Sequence, residues 1–346
     1  MSMRPAVVRA VGTVRMVWER ARTSTGIVGG GFAHNCGTVM GTARPWDDEE
    51  RVPRRPRWET SDGNVMTAYM DYKDLANETI DDARAQRIAD GVHRVLDRIA
   101  RAEYEAGRDE GSVTVLAATK TRDVGEIMAA IDAGVHMIGE NRPQEITVKI
   151  DGLRYACGER GIVLGASDVE AVESPDLTDD PEAIDRLPVH LIGQLQSNKI
   201  NKVLPDVNTI ESVDSLELAH KIGRRAAARG ADVGVLLEVN ESGEVSKSGC
   251  DPDAAYDLAL EIAQIDGIAL QGFMTVGAHV DDEAAIRRGF AHLRTLRDRV
   301  RDSHAEGTAR CDDLSMGMSG DMEYAIAEGA TIVRIGTAIF GERDFK

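Results

Sequence analysis

The sequence predicts an α/β fold, a single (β/α)8 TIM barrel, and three observations predict it. Eight short apolar runs rich in Val, Ile and Leu recur along the chain. Amphipathic helical segments separate them, an alternation that reads as parallel strands buried on both faces. From Met66 to Lys346 the chain offers 281 residues, close to the roughly 250 typical of such a barrel. An open doubly wound sheet alternates in the same way, and it is the count of eight that favours closure.

The elements follow in order. A long segment over about 72–106 places Ile88, Val92, Val95, Leu96 and Ile99 at helical spacing, and Gly107 ends it. The first strand is 113–118, with a helix behind it carrying Val124, Ile127, Met128 and Ile131. The second is 137–139, followed by a helix from about Pro143 into Tyr155. The third is 189–192 with a short helix over 196–204, and the fourth is 208–213 with a helix over 215–229 that Gly230 closes. Strands at 233–239 and within 268–276 precede helices at 253–264 and 283–301. The seventh strand, 313–316, runs into a helix over 321–328, and the eighth is 331–335, with no helix expected after it. Between the second helix and the third strand, about 165–186, lies an acidic stretch with Pro175 and Pro181. Loops of that length are functional or disordered. This one reads as a solvated insertion on the helix-to-strand side of the barrel, away from the chemistry.

Composition excludes some classes of function. The net charge of -18 argues against a nucleic-acid partner, because phosphates must be neutralised by Lys and Arg. No run approaches the roughly 20 apolar residues of a membrane span. Four widely spaced cysteines, Cys36, Cys157, Cys250 and Cys311, show no metal-ligand spacing and fit a reduced, cytoplasmic setting. Residues 1–65 differ from the rest, with ten Arg, no Lys and seven acids, so the remainder carries -21. They show poor periodicity and no compact apolar signal core. The expectation is a disordered tail or an upstream stretch read from a misplaced start, with Met66 and Met70 as candidate true starts and a barrel domain over 66–346.

Barrels put their sites at the C-terminal ends of the strands. At the first of these stands Lys120, directly after a buried apolar run. Desolvation lowers a Lys pKa and makes the amine a nucleophile for an aldehyde; the plainer reading is a surface Lys that begins a loop. After strands seven and eight come Ser315-Met-Gly-Met-Ser319-Gly320-Asp321 and Arg334-Ile-Gly336-Thr337. Those loops form the phosphate site of many barrels. Ser319 and Thr337 supply hydroxyls, Gly320 and Gly336 let backbone N–H groups approach an anion, and the helix after Gly320 turns its positive end to the same place. Each Gly and Ser taken alone is an ordinary turn or N-cap residue.

The motifs then join into a pattern. Ala118-Thr-Lys120-Thr, Gly139-Glu-Asn141, His190-Leu-Ile-Gly193-Gln-Leu-Gln-Ser-Asn-Lys199, Ile210-Glu-Ser-Val-Asp214, Ser246-Lys-Ser-Gly249, Gly272-Phe-Met-Thr275, Leu314-Ser-Met-Gly-Met-Ser319 and Val333-Arg-Ile-Gly-Thr-Ala-Ile-Phe-Gly341 span nearly all of residues 72–346 in order. In this the chain resembles the pyridoxal phosphate homeostasis protein family, whose barrel is similar to the N-terminal domain of alanine racemase. The resemblance implies a fold-type III barrel that binds pyridoxal 5'-phosphate (PLP). Lys120 would hold the cofactor as an aldimine, and Ser319, Gly336 and Thr337 would hold its phosphate, with Ser315 as an alternative ligand. Arg334 would face the pyridine nitrogen, and Asn141 would stand beside the ring. A guanidinium cannot accept a hydrogen bond and leaves the ring nitrogen unprotonated, which makes the ring a weaker electron sink. His190, at the start of the third strand, reads as a partnered structural histidine, and Lys247 either assists transfer of PLP or balances charge.

The first function expected is therefore PLP binding and intracellular homeostasis or delivery, with apo PLP-dependent enzymes as partners and no fixed reaction. The alternative is a fold-type III PLP enzyme, an amino-acid racemase or decarboxylase; a Schiff-base aldolase leaves the Arg334-Ile-Gly-Thr element unexplained. The chain stops at Lys346, five residues after Gly341. Racemases of this type continue into a C-terminal β domain, so a monomer without that domain is expected.

Overall fold

The apolar runs become a closed ring of parallel strands. The computed structural model describes residues 73–166, 185–242, 248–277 and 282–342. The expectations for residues 1–65, for most of the acidic insertion and for Lys247 fall outside them. Helix α1 (Asp82–Glu105) comes first, buries Ile88, Val92, Val95 and Ile99, and is capped by the Asp81 carboxylate, which accepts from the Arg84 N–H. Strand β1 (Thr114–Ala118), helix α2 (Val124–Asp132), β2 (Ile138–Glu140) and α3 (Pro143–Gly158) follow. Two residue pairs, β3 (Val163–Leu164) and β4 (Arg186–Leu187), form a small parallel sheet of their own. They hold the two ends of the acidic insertion side by side, next to the start of β5 (Val189–Leu191). After a 3-10 turn at Ser197–Lys199 come α4 (Ile200–Val203), β6 (Thr209–Val213), α5 (Leu216–Ala227) and β7 (Val233–Glu238). The chain ends through α6 (Ala255–Ala263), β8 (Ile268–Met274), α7 (Glu283–Asp302), β9 (Asp313–Ser315), α8 (Met322–Ala327), β10 (Ile332–Ile335) and α9 (Thr337–Phe340).

The barrel closes in the order β1-β2-β5-β6-β7-β8-β9-β10, with β10 pairing back onto β1. Side chains alternate along each strand. Val115, Ala117, Ile138 and Val189 face the helices and join the large apolar layer between the barrel wall and the helical ring. The single barrel expected from the sequence is the fold observed.

Two expectations are corrected, and one small sheet is new. The long first helix begins at Asp82 and not near residue 72, because Asp81 caps it there. The short β3–β4 sheet was not anticipated, since two residues carry no periodicity. The last strand does have a helix behind it, but α9 is a single turn, too short to cover its share of the barrel. Helix α1 packs against α2, α8 and α9 and so fills the eighth place in the outer ring. The close approach needs a glycine: a Cβ on Gly91 would stand 2.4 Å from the carbonyl oxygen of Ile339. Among the described residues no helix is long and apolar enough to cross a membrane, and Cys157, Cys250 and Cys311 carry free, buried thiols.

Candidate functional site

Because the strands are parallel, their C-terminal ends share one rim, and β9, β10, β1 and β2 are consecutive around it. That sector carries all six residues singled out from the sequence. Ser319 follows β9, Arg334 lies in β10 with Gly336 and Thr337 just beyond it, Lys120 follows β1, and Asn141 follows β2. Ala117 registers against Ile335 and Ala118 against Gly139, and a Cβ on Gly336 would lie 3.5 Å from Ala118. The Lys120 and Gly336 loops are therefore neighbours.

Lys120 is half-buried and stands at the first corner of a turn that the Arg122 N–H closes onto the Thr119 carbonyl at 3.0 Å. The second corner, Thr121, has φ 65°, the left-handed region that a β-branched residue adopts only under strain. Asn141 shows a different kind of tension. Its Oδ1 is buried and has no hydrogen-bond partner among the described residues. An unpaired buried acceptor costs about 1–3 kcal/mol and marks a place where a ligand donor fits. The loop after β5 presses on this residue through Gly193, whose Cβ would stand 2.2 Å from the Asn141 carbonyl oxygen.

On the other flank the rim is open. Thr337 is exposed and Ser319 half-buried, and a Cβ on Gly320 would meet nothing within 4 Å. The loop is pinned by Asp321, whose Oδ1 accepts from the Met318 N–H at 2.6 Å. The helix expected to aim its positive end here is α8, only six residues long, too short to bring a long dipole to the rim. Ser315 is removed from the list of phosphate ligands. It is fully buried, donates to Glu211 Oε2 at 2.6 Å and accepts from Arg334 at 2.8 Å, which commits its hydroxyl below the rim.

Arg334 heads a polar spine through the barrel interior. Three of its five N–H donors are engaged: two with the carbonyl and hydroxyl of Ser315 and one with the Thr275 carbonyl at 2.7 Å. Glu211 continues the spine to His190, whose Nδ1 lies 2.7 Å from Glu211 Oε1. His190 is thus a buried, partnered histidine, as its position in the strand led one to expect. Burial alone would raise the Glu211 pKa, but the hydrogen bonds and charges of His190, Arg334 and Ser315 hold it below the ordinary carboxylate value. Burial also lowers the pKa of Arg334, against the opposing pull of Glu211, Glu238 and Asp321.

Glu238, at the end of β7, is pushed from the ordinary 4.5 up to about 7 by burial and by the negative charge of Asp214, which outweigh the Arg334 charge. Between those two values the unfolded chain sheds a proton that the folded chain keeps. The group therefore costs nothing at low pH, costs progressively more as pH rises through this window, and costs a constant amount above it. Glu238→Gln should stabilise the protein at pH 8 relative to pH 4.5 by up to about 3 kcal/mol. Urea midpoints of both proteins at the two pH values measure this, and a difference independent of pH would show that Glu238 titrates normally.

Sequence reasoning gave no role to Glu211 and Glu238. The available signal was an acid inside an apolar strand, at 209–213 and at 233–238.

The family model described as the alanine racemase N-terminal domain matches residues 110–344. The pyridoxal phosphate homeostasis protein of Vibrio cholerae is 35% identical over 258 residues, 75% of this chain and 97% of that one. Among solved structures, an unknown protein from Bifidobacterium adolescentis is 66% identical with a TM-score of 0.72, covering 78% of this chain and 100% of that chain. PipY of Synechococcus elongatus, with PLP bound, is 29% identical with a TM-score of 0.53, covering 70% of this chain and 100% of that chain.

Proposed function

Since this chain belongs to the pyridoxal phosphate homeostasis protein family, we propose that it binds PLP at the rim formed by β9, β10, β1 and β2 and holds it for delivery to other proteins. The observation that carries this reading is the convergence in one sector of an amine (Lys120), an unpaired buried acceptor (Asn141 Oδ1), a partly engaged guanidinium (Arg334) and an open hydroxyl-bearing rim (Ser319, Thr337). An aldehyde, a ring with a basic nitrogen and a phosphate need that set of groups. PLP, when bound, supplies a reactive aldehyde on an electron-accepting ring.

The chain's residues divide the work. Lys120 would supply the amine that holds the aldehyde end of the cofactor by a reversible covalent link, which suits storage and release. Gly336 N–H, Thr337 and Ser319 hold the phosphate. Arg334 offers donors and no acceptor, so it would hold a basic ring nitrogen in its unprotonated form. Its position is fixed from below by Ser315 and Thr275. A site built this way would retain the aldehyde while weakening the ring as an electron sink.

Protein loaded with PLP should transfer it to an apo PLP-dependent enzyme, seen as recovery of that enzyme's activity. It should also leave L-amino acids unchanged. Racemisation at ordinary enzyme rates, roughly 1–1000 per second, would instead make the chain an enzyme. Ser319→Ala and Thr337→Val change residues that are not buried, so the fold should persist. Each removes a charge-assisted hydrogen bond of about 1.5–3 kcal/mol, and PLP should bind roughly ten- to a hundredfold more weakly. Unchanged affinity in both variants, measured by fluorescence titration, would move the phosphate elsewhere.

A further inference from the structure

A buried ion cluster stands behind the Lys120 turn, outside the site described so far. Lys149 of α3 is 1% exposed, and all three of its ammonium protons have partners: Glu140 Oε1 at 2.7 Å, Glu145 Oε2 at 3.1 Å and the Thr119 carbonyl at 3.0 Å. Glu140, the last residue of β2, also accepts from the Thr119 hydroxyl at 2.6 Å. Glu145, in the first turn of α3, accepts from the Thr121 N–H at 2.7 Å. The partners Glu140, Glu145 and Thr119 are themselves almost wholly buried.

The contacts fall in a specific place. The Thr119 carbonyl belongs to the peptide unit before Lys120, and the Thr121 N–H belongs to the unit after it. The cluster thus grips both peptide planes that flank Lys120, while Lys149 approaches from the helix side of the wall, the side shared by Val115 and Ala117. The same grip holds Thr121 at φ 65°, which its β-branched side chain resists. Burying Lys149 with two carboxyl groups is costly, burial itself raising the Glu140 pKa, and apolar side chains would pack the same space with less penalty. A fold that only needed to attach α3 to the wall has no use for them. A fold that must keep one amine at a fixed corner does, because reactive groups lose much of their efficiency when displaced by about 1 Å.

We propose that Lys149, with Glu140 and Glu145, is a positioning device that sets the Lys120 amine for covalent capture of an aldehyde, and that it contributes to the covalent link and not to the remainder of cofactor binding. This rests on the PLP reading above. The test compares PLP with pyridoxine 5'-phosphate, which keeps the ring and phosphate but carries no aldehyde. The variants are Lys149→Met and the milder, isosteric Glu145→Gln, each checked for folding by circular dichroism. In a folded variant, PLP affinity and borohydride-trapped label should fall about ten- to a hundredfold, while affinity for pyridoxine 5'-phosphate stays within about twofold of the parent. Adding Thr121→Gly to Glu145→Gln should recover part of the trapping, since glycine takes the left-handed corner without restraint. If Lys149→Met does not fold, Glu145→Gln alone decides. Equal weakening of both ligands, unimpaired PLP trapping in folded Glu145→Gln, or no recovery with Thr121→Gly overturns the assignment. Absence of any label in the parent protein overturns the PLP reading itself.

Discussion

Lys120→Ala should reduce the borohydride-trapped pyridoxyl label from near one per chain to background, with the imine absorbance band lost as well. The chain has eight lysines, and three of the seven rivals stand away from the Lys120 rim. Lys149 is buried with three partners on the helix side of the wall. Lys73 is paired with Glu126 and Asp123, and Lys221 is paired with Glu217 on an outer helix. Lys120 alone among the described lysines stands in the loop after β1, at the rim that carries Asn141, Gly336 and Thr337. The fold should survive, because the half-buried Lys120 corner keeps its backbone bonds through Thr119 and Thr121. Noncovalent PLP binding should therefore persist in the variant, weakened but measurable. Peptide mapping of the parent protein decides the matter: a label chiefly on Lys199 or Lys247 would falsify the assignment.

How much of this could be read from the sequence depended on whether a residue's role is local. The eight strands were legible because each is a run of branched apolar residues between helical segments, and burial on two faces leaves that pattern. Strands β3 and β4 were not, since two residues have no period, and α9 was missed because a one-turn helix has none either. Lys120 stood out because a charge directly after a buried strand is unusual. Lys149 did not: within α3 it is spaced like any surface lysine, and its burial follows from Glu140, a residue in another element. Ser315 shows the reverse error. Its motif suggested a ligand, but the strand turns its hydroxyl inward to Glu211, and alternation around a short strand end could not be fixed without the register. The other five rim residues stood out only as a pattern, since none of them is unusual by itself.

Arg334→Met should produce a large loss of stability. Arg334 is 6% exposed and Glu211 is fully buried. Removing the guanidinium leaves the Glu211 carboxylate deep in the barrel with only His190 and Ser315 beside it, and the Thr275 carbonyl loses its Arg334 donor. Breaking a buried ionic arrangement from one side costs about 3–5 kcal/mol, which for a domain of this size lowers the thermal midpoint by roughly 10 °C. The pH dependence gives an independent reading. With its folded pKa below the ordinary value, Glu211 contributes stability that is present above pH 4.5 and lost as pH falls through the folded value. Without Arg334 that pKa must rise, so acid unfolding should begin at higher pH than in the parent. The penalty belongs to a buried carboxylate that has lost its guanidinium and not to lost volume, so Glu211→Met in the same chain should return a substantial part of it. A single variant within about 0.5 kcal/mol of the parent, or a double variant that merely adds the two losses, would mean that the interior spine does not carry the barrel's stability.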